Sequence, residues 1–131
     1  MENKLLILKS SAQSLESVCQ RLPEIAQKHK FGVLGMHDLR QKMESKGVPF
    51  SRECRVFEVC NPQQAQQVLT RSIEISTALP CRISVYEEGG RTVLATIKPT
   101  ALLGLFGAPE AAAIAQEVED VMTRIMEETA Q

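Results

Sequence analysis

Residues 55–91 read RVFEVCNPQQAQQVLTRSIEISTALPCRISVYEEGGR, and their interpretation decides the fold. Two apolar runs, RVFEVC and CRISVYE, have the length and β-branched content of strands. Each carries a cysteine at the edge of a proline turn. Asn61-Pro62 between them is the sharpest structural signal in the chain. Asn is a favoured N-cap, and Pro at the first helical position loses no hydrogen bond, because that N–H has no intrahelical partner. A helix therefore begins at residue 62, with Ala65, Val68 and Leu69 on its buried face and the four Gln residues between 63 and 67 in water. Residues 73–77 either extend that helix or form a short irregular piece.

Downstream, Cys81, Ile83 and Val85 alternate with Arg82, Ser84 and Tyr86, and Val93, Ala95 and Ile97 alternate with Thr92, Leu94 and Thr96. The EEGG between them predicts an antiparallel hairpin. After Lys98-Pro99 comes an apolar link, TALLGLFGA, of undetermined form. Pro109 then opens a last helix whose stripe is Ala111, Ile114, Ala115, Val118, Val121, Met122 and Ile125.

Upstream, the LLIL run suits a first strand. Leu15, Val18, Cys19, Leu22, Ile25 and Ala26 recur at helical spacing, with Ser10 and Gln13 placed for a capping box and Pro23 predicting a kink or break near residues 19–22. FGVLGM at 31–36 reads as a second strand, in which Gly32 and Gly35 permit a bulge or a close backbone approach. Asp38 opens a short helix, Gly47 ends it in a left-handed conformation, and a third strand covers 53–60. The order β-α-β-α-β-α-β-β-α predicts one α+β domain over residues 1–131, a two-layer sandwich with a mixed sheet and helices on one face.

Composition narrows the function. A net charge of −1 with no basic run is unsuited to neutralising phosphates, so no nucleic-acid partner is expected. The N-terminal apolar run of four residues is too short for a signal peptide, and residues 101–115 are broken by Gly104, Gly107, Pro109 and Glu110, so no membrane span is expected. The four cysteines, at 19, 54, 60 and 81, contain no CxxC and form no dense framework, which predicts reduced thiols in a cytoplasmic protein.

Taken together, Phe31-Gly32-Val33-Leu34, the Cys60-Asn61-Pro62 turn followed by Ala65 and Leu69, and Leu79-Pro80-Cys81 leading into VYEEGG resemble the family catalogued as domain of unknown function 302. The resemblance covers most of the chain. It implies a compact two-layer α+β fold, commonly dimeric, with an uninterrupted first helix, and it implies no particular activity or cofactor.

Candidate binding residues cluster at the two cysteine-proline turns: Glu58, Cys60, Asn61, Cys81 and Arg82. Cys60 precedes a helix N-terminus, which favours thiolate, but its apolar neighbours Phe57 and Val59 raise a thiol pKa, and desolvation is the larger effect. Cys54, Glu58 and Cys60 share strand parity, and with Cys81 they would make a soft donor set for Zn or Cu(I). The spacing is not that of a metal motif, and no metal is expected. His29 and His37 flank the second strand without a nucleophile beside them, which tilts the reading away from an enzyme. Arg82 and Arg91, with Glu87 and Glu88, read as a solvated rim. The expected function is a homodimeric module binding a small molecule near the CNP and LPC turns, with residues 101–106 as the dimer seam. A thiol-based redox or sulfur-transfer protein using Cys60 and Cys81 is the alternative, and soft-metal binding through Cys54, Cys60 and Cys81 is a second.

Overall fold

Two facing rows of side chains, Phe57 and Val59 on one strand and Ile83 and Val85 on the next, are almost wholly removed from solvent and mark the middle of the sheet. The structure, a computed structural model, describes residues 3–131. Its elements in order are β1 (Leu6–Ser11), α1 (Leu15–Lys28), β2 (Gly32–Asp38), α2 (Leu39–Ser45), β3 (Cys54–Cys60), α3 (Pro62–Arg71), a 3₁₀ turn (Ile73–Ala78), β4 (Cys81–Glu88), β5 (Arg91–Ile97), α4 (Pro99–Gly104) and α5 (Pro109–Ala130). The strands form one sheet in the order β1-β5-β4-β3-β2.

Every neighbouring pair is antiparallel, so the expected mixed sheet is corrected. The reason is topological. α1 returns the chain so that β2 runs in the same direction as β1, but β1 and β2 occupy opposite edges of the sheet and never pair. The remaining strands are added by reversal, so no parallel ladder arises. The hairpin between β4 and β5 turns at Gly89 and Gly90, whose φ values of 59° and 78° are those a two-residue primed turn requires.

α1 and α5 lie side by side and cover one face of this sheet. Val18, Leu22 and Ala26 of α1 and Met122, Ile125 and Met126 of α5 are fully enclosed against Ile83, Val85 and Leu94. α1 runs through Pro23 without a break, where a kink or a break was expected near 19–22. Burial of its apolar stripe on both sides of the proline offsets the one backbone bond lost. Its N-cap is Ser14, whose hydroxyl accepts from Ser17 N, and not Ser10, because β1 continues to Ser11. Arg21 on α1 donates to the carbonyls of Glu128, Thr129 and Gln131 and so closes the C-terminal end of α5.

A smaller second core gathers Val68 of α3, Ile75 of the 3₁₀ turn, Leu103 of α4, and Ala111 and Ala115 of α5. The apolar link is a helix as far as Gly104 and a turn beyond it. Leu103 is buried and Phe106 packs on the second core, while Leu105 is 83% exposed. Among the described residues no helix is long and apolar enough to cross a membrane.

Truncating the centre of the main core tests this arrangement. Ile83→Ala, at a position with no exposed surface, is expected to lower unfolding free energy by about 2–5 kcal/mol, whereas Leu105→Ala changes it by less than about 0.5 kcal/mol. Urea titration of both variants checks the contrast, and equal effects would contradict the assigned core.

Candidate functional site

At one end of the sheet β3 leaves into α3, β4 enters from the Leu79-Pro80 turn, and β5 leaves into α4. The Leu79-Pro80 peptide bond is cis. Asn61 caps α3 as its sequence predicts, with Oδ1 accepting from Gln64 N at 3.1 Å. These three chain passages leave a pocket of about 110 Å³ between the sheet end and the second core. Its walls come from both cores: Phe31, Val59 and Val118 from the main one, Val68, Leu79 and Leu103 from the smaller. Cys60, Asn61, Cys81 and Arg82, four of the five candidate binding residues, line it.

Gln64 was expected in water with its neighbours, and this is corrected. It lines the pocket, its Nε2 reaches Glu117 Oε2 at 3.5 Å, and its Oε1 is sealed from solvent with no donor among the described residues. The signal lay in helical spacing. Gln64 stands four residues before Val68, the one fully buried side chain of α3, and so shares its inward face. Gln63, Gln66 and Gln67 point elsewhere and are exposed.

Burial sets the chemistry of the two thiols. It pushes Cys60 above the ordinary cysteine value, and it pushes Cys81 up to about 11, with the neighbouring Cys60 as a second, smaller cause. Both walls are therefore neutral S–H groups at physiological pH. Cys19, beneath α1, is likewise raised to about 11 by burial, against the opposing pull of Arg55.

Glu58, the fifth candidate, is not at the pocket. Strand alternation turns it to the sheet face that α1 and α5 do not cover, where it stands opposite Gly35 and Arg82. His37 Nε2 donates to Glu58 Oε1 at 3.0 Å, Arg82 Nη2 lies 3.6 Å from Oε2, and Lys42 Nζ donates to His37 Nδ1 at 2.5 Å. A lysine ammonium has only donors, so the contact requires Nδ1 to accept and Nε2 to carry the proton. Gly35 provides the room, since a Cβ there would lie 3.2 Å from Glu58 Oε1. His37, expected to flank the second strand, is part of β2, and its two nitrogens are both occupied. His29 caps the end of α1, and its Nε2 pairs with Glu128 Oε1 at 3.0 Å.

The soft donor set is not assembled. Among the described residues no three His, Cys, Asp or Glu side chains converge as a metal site. Shared parity put Cys54 and Cys60 on one face, but they sit at the two ends of β3, roughly 20 Å apart at about 3.3 Å per residue. Cys54 instead meets Ser84 Oγ at 3.6 Å.

Comparison with known proteins places this architecture. The family model described as domain of unknown function DUF302 matches residues 7–129. The chain belongs to the DUF302 family. A solved structure, the crystal structure of an uncharacterized conserved DUF302 protein from Bacillus stearothermophilus, is 29% identical to it and superposes with a TM-score of 0.92, over 98% of this chain and all of that one. No curated protein matches the chain.

The pocket thiols give a direct test. Cys60 and Cys81 are expected to alkylate with iodoacetamide at pH 7.4 no faster than an unhindered free cysteine, with rates still rising at pH values where a free cysteine has levelled off. Peptide-resolved mass spectrometry checks this, and rapid labelling of Cys60 near neutrality would make it a reactive thiolate.

Proposed function

We propose that this DUF302 protein is a homodimeric module that holds a small, largely apolar molecule in the pocket between the Cys60-Asn61-Pro62 and Leu79-Pro80-Cys81 turns. The observation that carries the reading is the pocket itself, an apolar opening at the meeting of two cores with four of the sequence-derived candidates on its wall. Sites of this kind are concave and mostly apolar, with a few polar groups that fix orientation. Here those groups are Asn61 and Gln64, with Arg82 at the margin. The thiol-based alternative ranks below it, because both thiols are shifted away from the nucleophilic form.

Dimerisation is supported by the uncovered sheet face. Lys9 turns toward α5, where it pairs with Glu127, so its neighbours in β1 turn the other way. Leu6 and Leu8 then stand beside Ile97 and Ala95 on the open side, and Leu8 and Ile97 are 45% and 41% exposed. An antiparallel sheet that meets water on one side is normally polar there. The half of the face over β1 and β5 is apolar instead, and a second copy related by a twofold axis would cover it with the same patch.

Two experiments test these parts separately. Ala65→Trp, which fills the pocket from α3, is expected to abolish retention of any molecule that native mass spectrometry finds bound to the purified wild-type protein; retention undiminished in the variant would place the ligand elsewhere. Sedimentation velocity is expected to show a dimer that Leu8→Glu converts to a monomer. A wild-type monomer at roughly tens of micromolar, well above ordinary dimer affinities, would refute the dimer.

A further inference from the structure

Folded chains leave few buried acceptors unpaired, because each one costs about the desolvation of that group. In the pocket wall the exception is Gln64 Oε1. Nε2 is the end that faces Glu117, 3.5 Å from Oε2, and Oε1 is the opposite end of the amide, enclosed by the protein. The pocket that Gln64 borders is lined mainly by apolar side chains and two thiols, and the backbone amide of Gln64 is already committed to the Asn61 cap.

The other charged groups near the pocket lie at its margin. Arg82 is 62% exposed and is directed to Glu58 on the open sheet face. Glu117 stands outside the wall, at the far end of the Gln64 amide. Nothing in the interior would balance a charge on a ligand, and an unpaired charge in such surroundings is strongly disfavoured. Size narrows the class further. An apolar cavity of about 150 Å³ holds a benzene molecule. The present pocket, at about 110 Å³ and open at one side, encloses a group of at most about one small ring, with any larger remainder projecting outward.

From these three constraints we infer that the ligand enters with an uncharged apolar head of single-ring size bearing one hydroxyl or N–H, which donates to Gln64 Oε1. This deepens the ligand-binding reading above and rests on it. The donor reaches the oxygen through rotation of the Gln64 side chain, whose Nε2 contact is long enough to be given up at little cost. The residue acts as a selectivity element. An apolar analogue lacking the donor gains no such bond and leaves the acceptor as it was, a difference of about one net hydrogen bond.

The test uses phenol, toluene and benzoate as probes, titrated into the whole protein and followed by NMR at the methyl groups of Val68 and Leu103. Phenol is expected to bind roughly tenfold more tightly than toluene, about the worth of one net hydrogen bond, and benzoate more weakly than either. Gln64→Leu is expected to erase the preference for phenol while toluene still binds, with Gln64→Met as the length-matched variant should the first not fold. Equal affinity for phenol and toluene, or a preference that survives loss of Gln64, would overturn the donor inference and leave the pocket reading standing. Binding of neither probe would overturn both.

Discussion

Strand parity across β3 and β4 is the constraint on which the rest of this structure depends. Ile83 and Val85 must lie under α1 and α5, where they have no exposed surface. Because β-strand side chains alternate, that one requirement fixes the outward direction of Arg82, Ser84 and Tyr86. The antiparallel register passes it on to β3, where Phe57 and Val59 go inward and Glu58 goes outward. A one-residue slip would put Glu58 into the main core and Phe57 into solvent, so the register is strongly specified. The Glu58-His37-Lys42 chain of contacts is thus a consequence of hydrophobic burial on the opposite side of the sheet.

A second ionic group illustrates how burial changes the role of similar residues. Arg55 faces the helical layer from β3, where its side chain is only 17% exposed. It bonds to Glu16 of α1 and lies 3.7 Å from Asp38 and 3.8 Å from Glu53. The hydrogen bond from Arg55, with its charge, holds the Glu16 carboxyl below the usual range, and the same bond raises the guanidinium further. The group fastens α1 to β3 at one end of the sheet. Arg82, on the same ladder but 62% exposed, has only the looser approach to Glu58, and solvent screens most of what that contact contributes.

The elements with strong local chemistry were legible in the sequence. Asn61-Pro62, the Gly89-Gly90 turn and the periodic stripe of α5 state their own conformations, and β4 with β5 follows from alternation. What was hidden depends on distance through space. Sequence parity correctly put Cys54 and Cys60 on one face, but parity carries no information about the length of strand between them. Pro23 reads locally as a breaker, and only packing on both sides of it lets α1 continue. The direction of strand pairing was hidden for a similar reason, since nothing near β1 or β2 records that three other strands come to lie between them. At the site, Gln64 was lost among four glutamines of identical composition. Its difference from Gln63, Gln66 and Gln67 is angular position on α3, visible only once Val68 is known to be the buried residue.

The pocket also requires an account of why it is open. The second core is assembled from short elements and small side chains, with Ala78, Ala108, Ala111 and Ala115 among its members. Where α3, the 3₁₀ turn, α4 and the start of α5 meet, these small side chains leave space beside Val59 and Val118 of the main core. Protein interiors are otherwise packed to crystal-like density, and unfilled volume costs about 24 cal/mol per Å³. For about 110 Å³ the cost reaches at most about 3 kcal/mol, less where solvent enters, which is a sizeable part of the stability of a domain this small. A larger side chain at Ala65 would close much of the opening. Folding alone therefore favours a filled seam, and an open one lined by an unpaired acceptor is the feature of this molecule that packing does not explain.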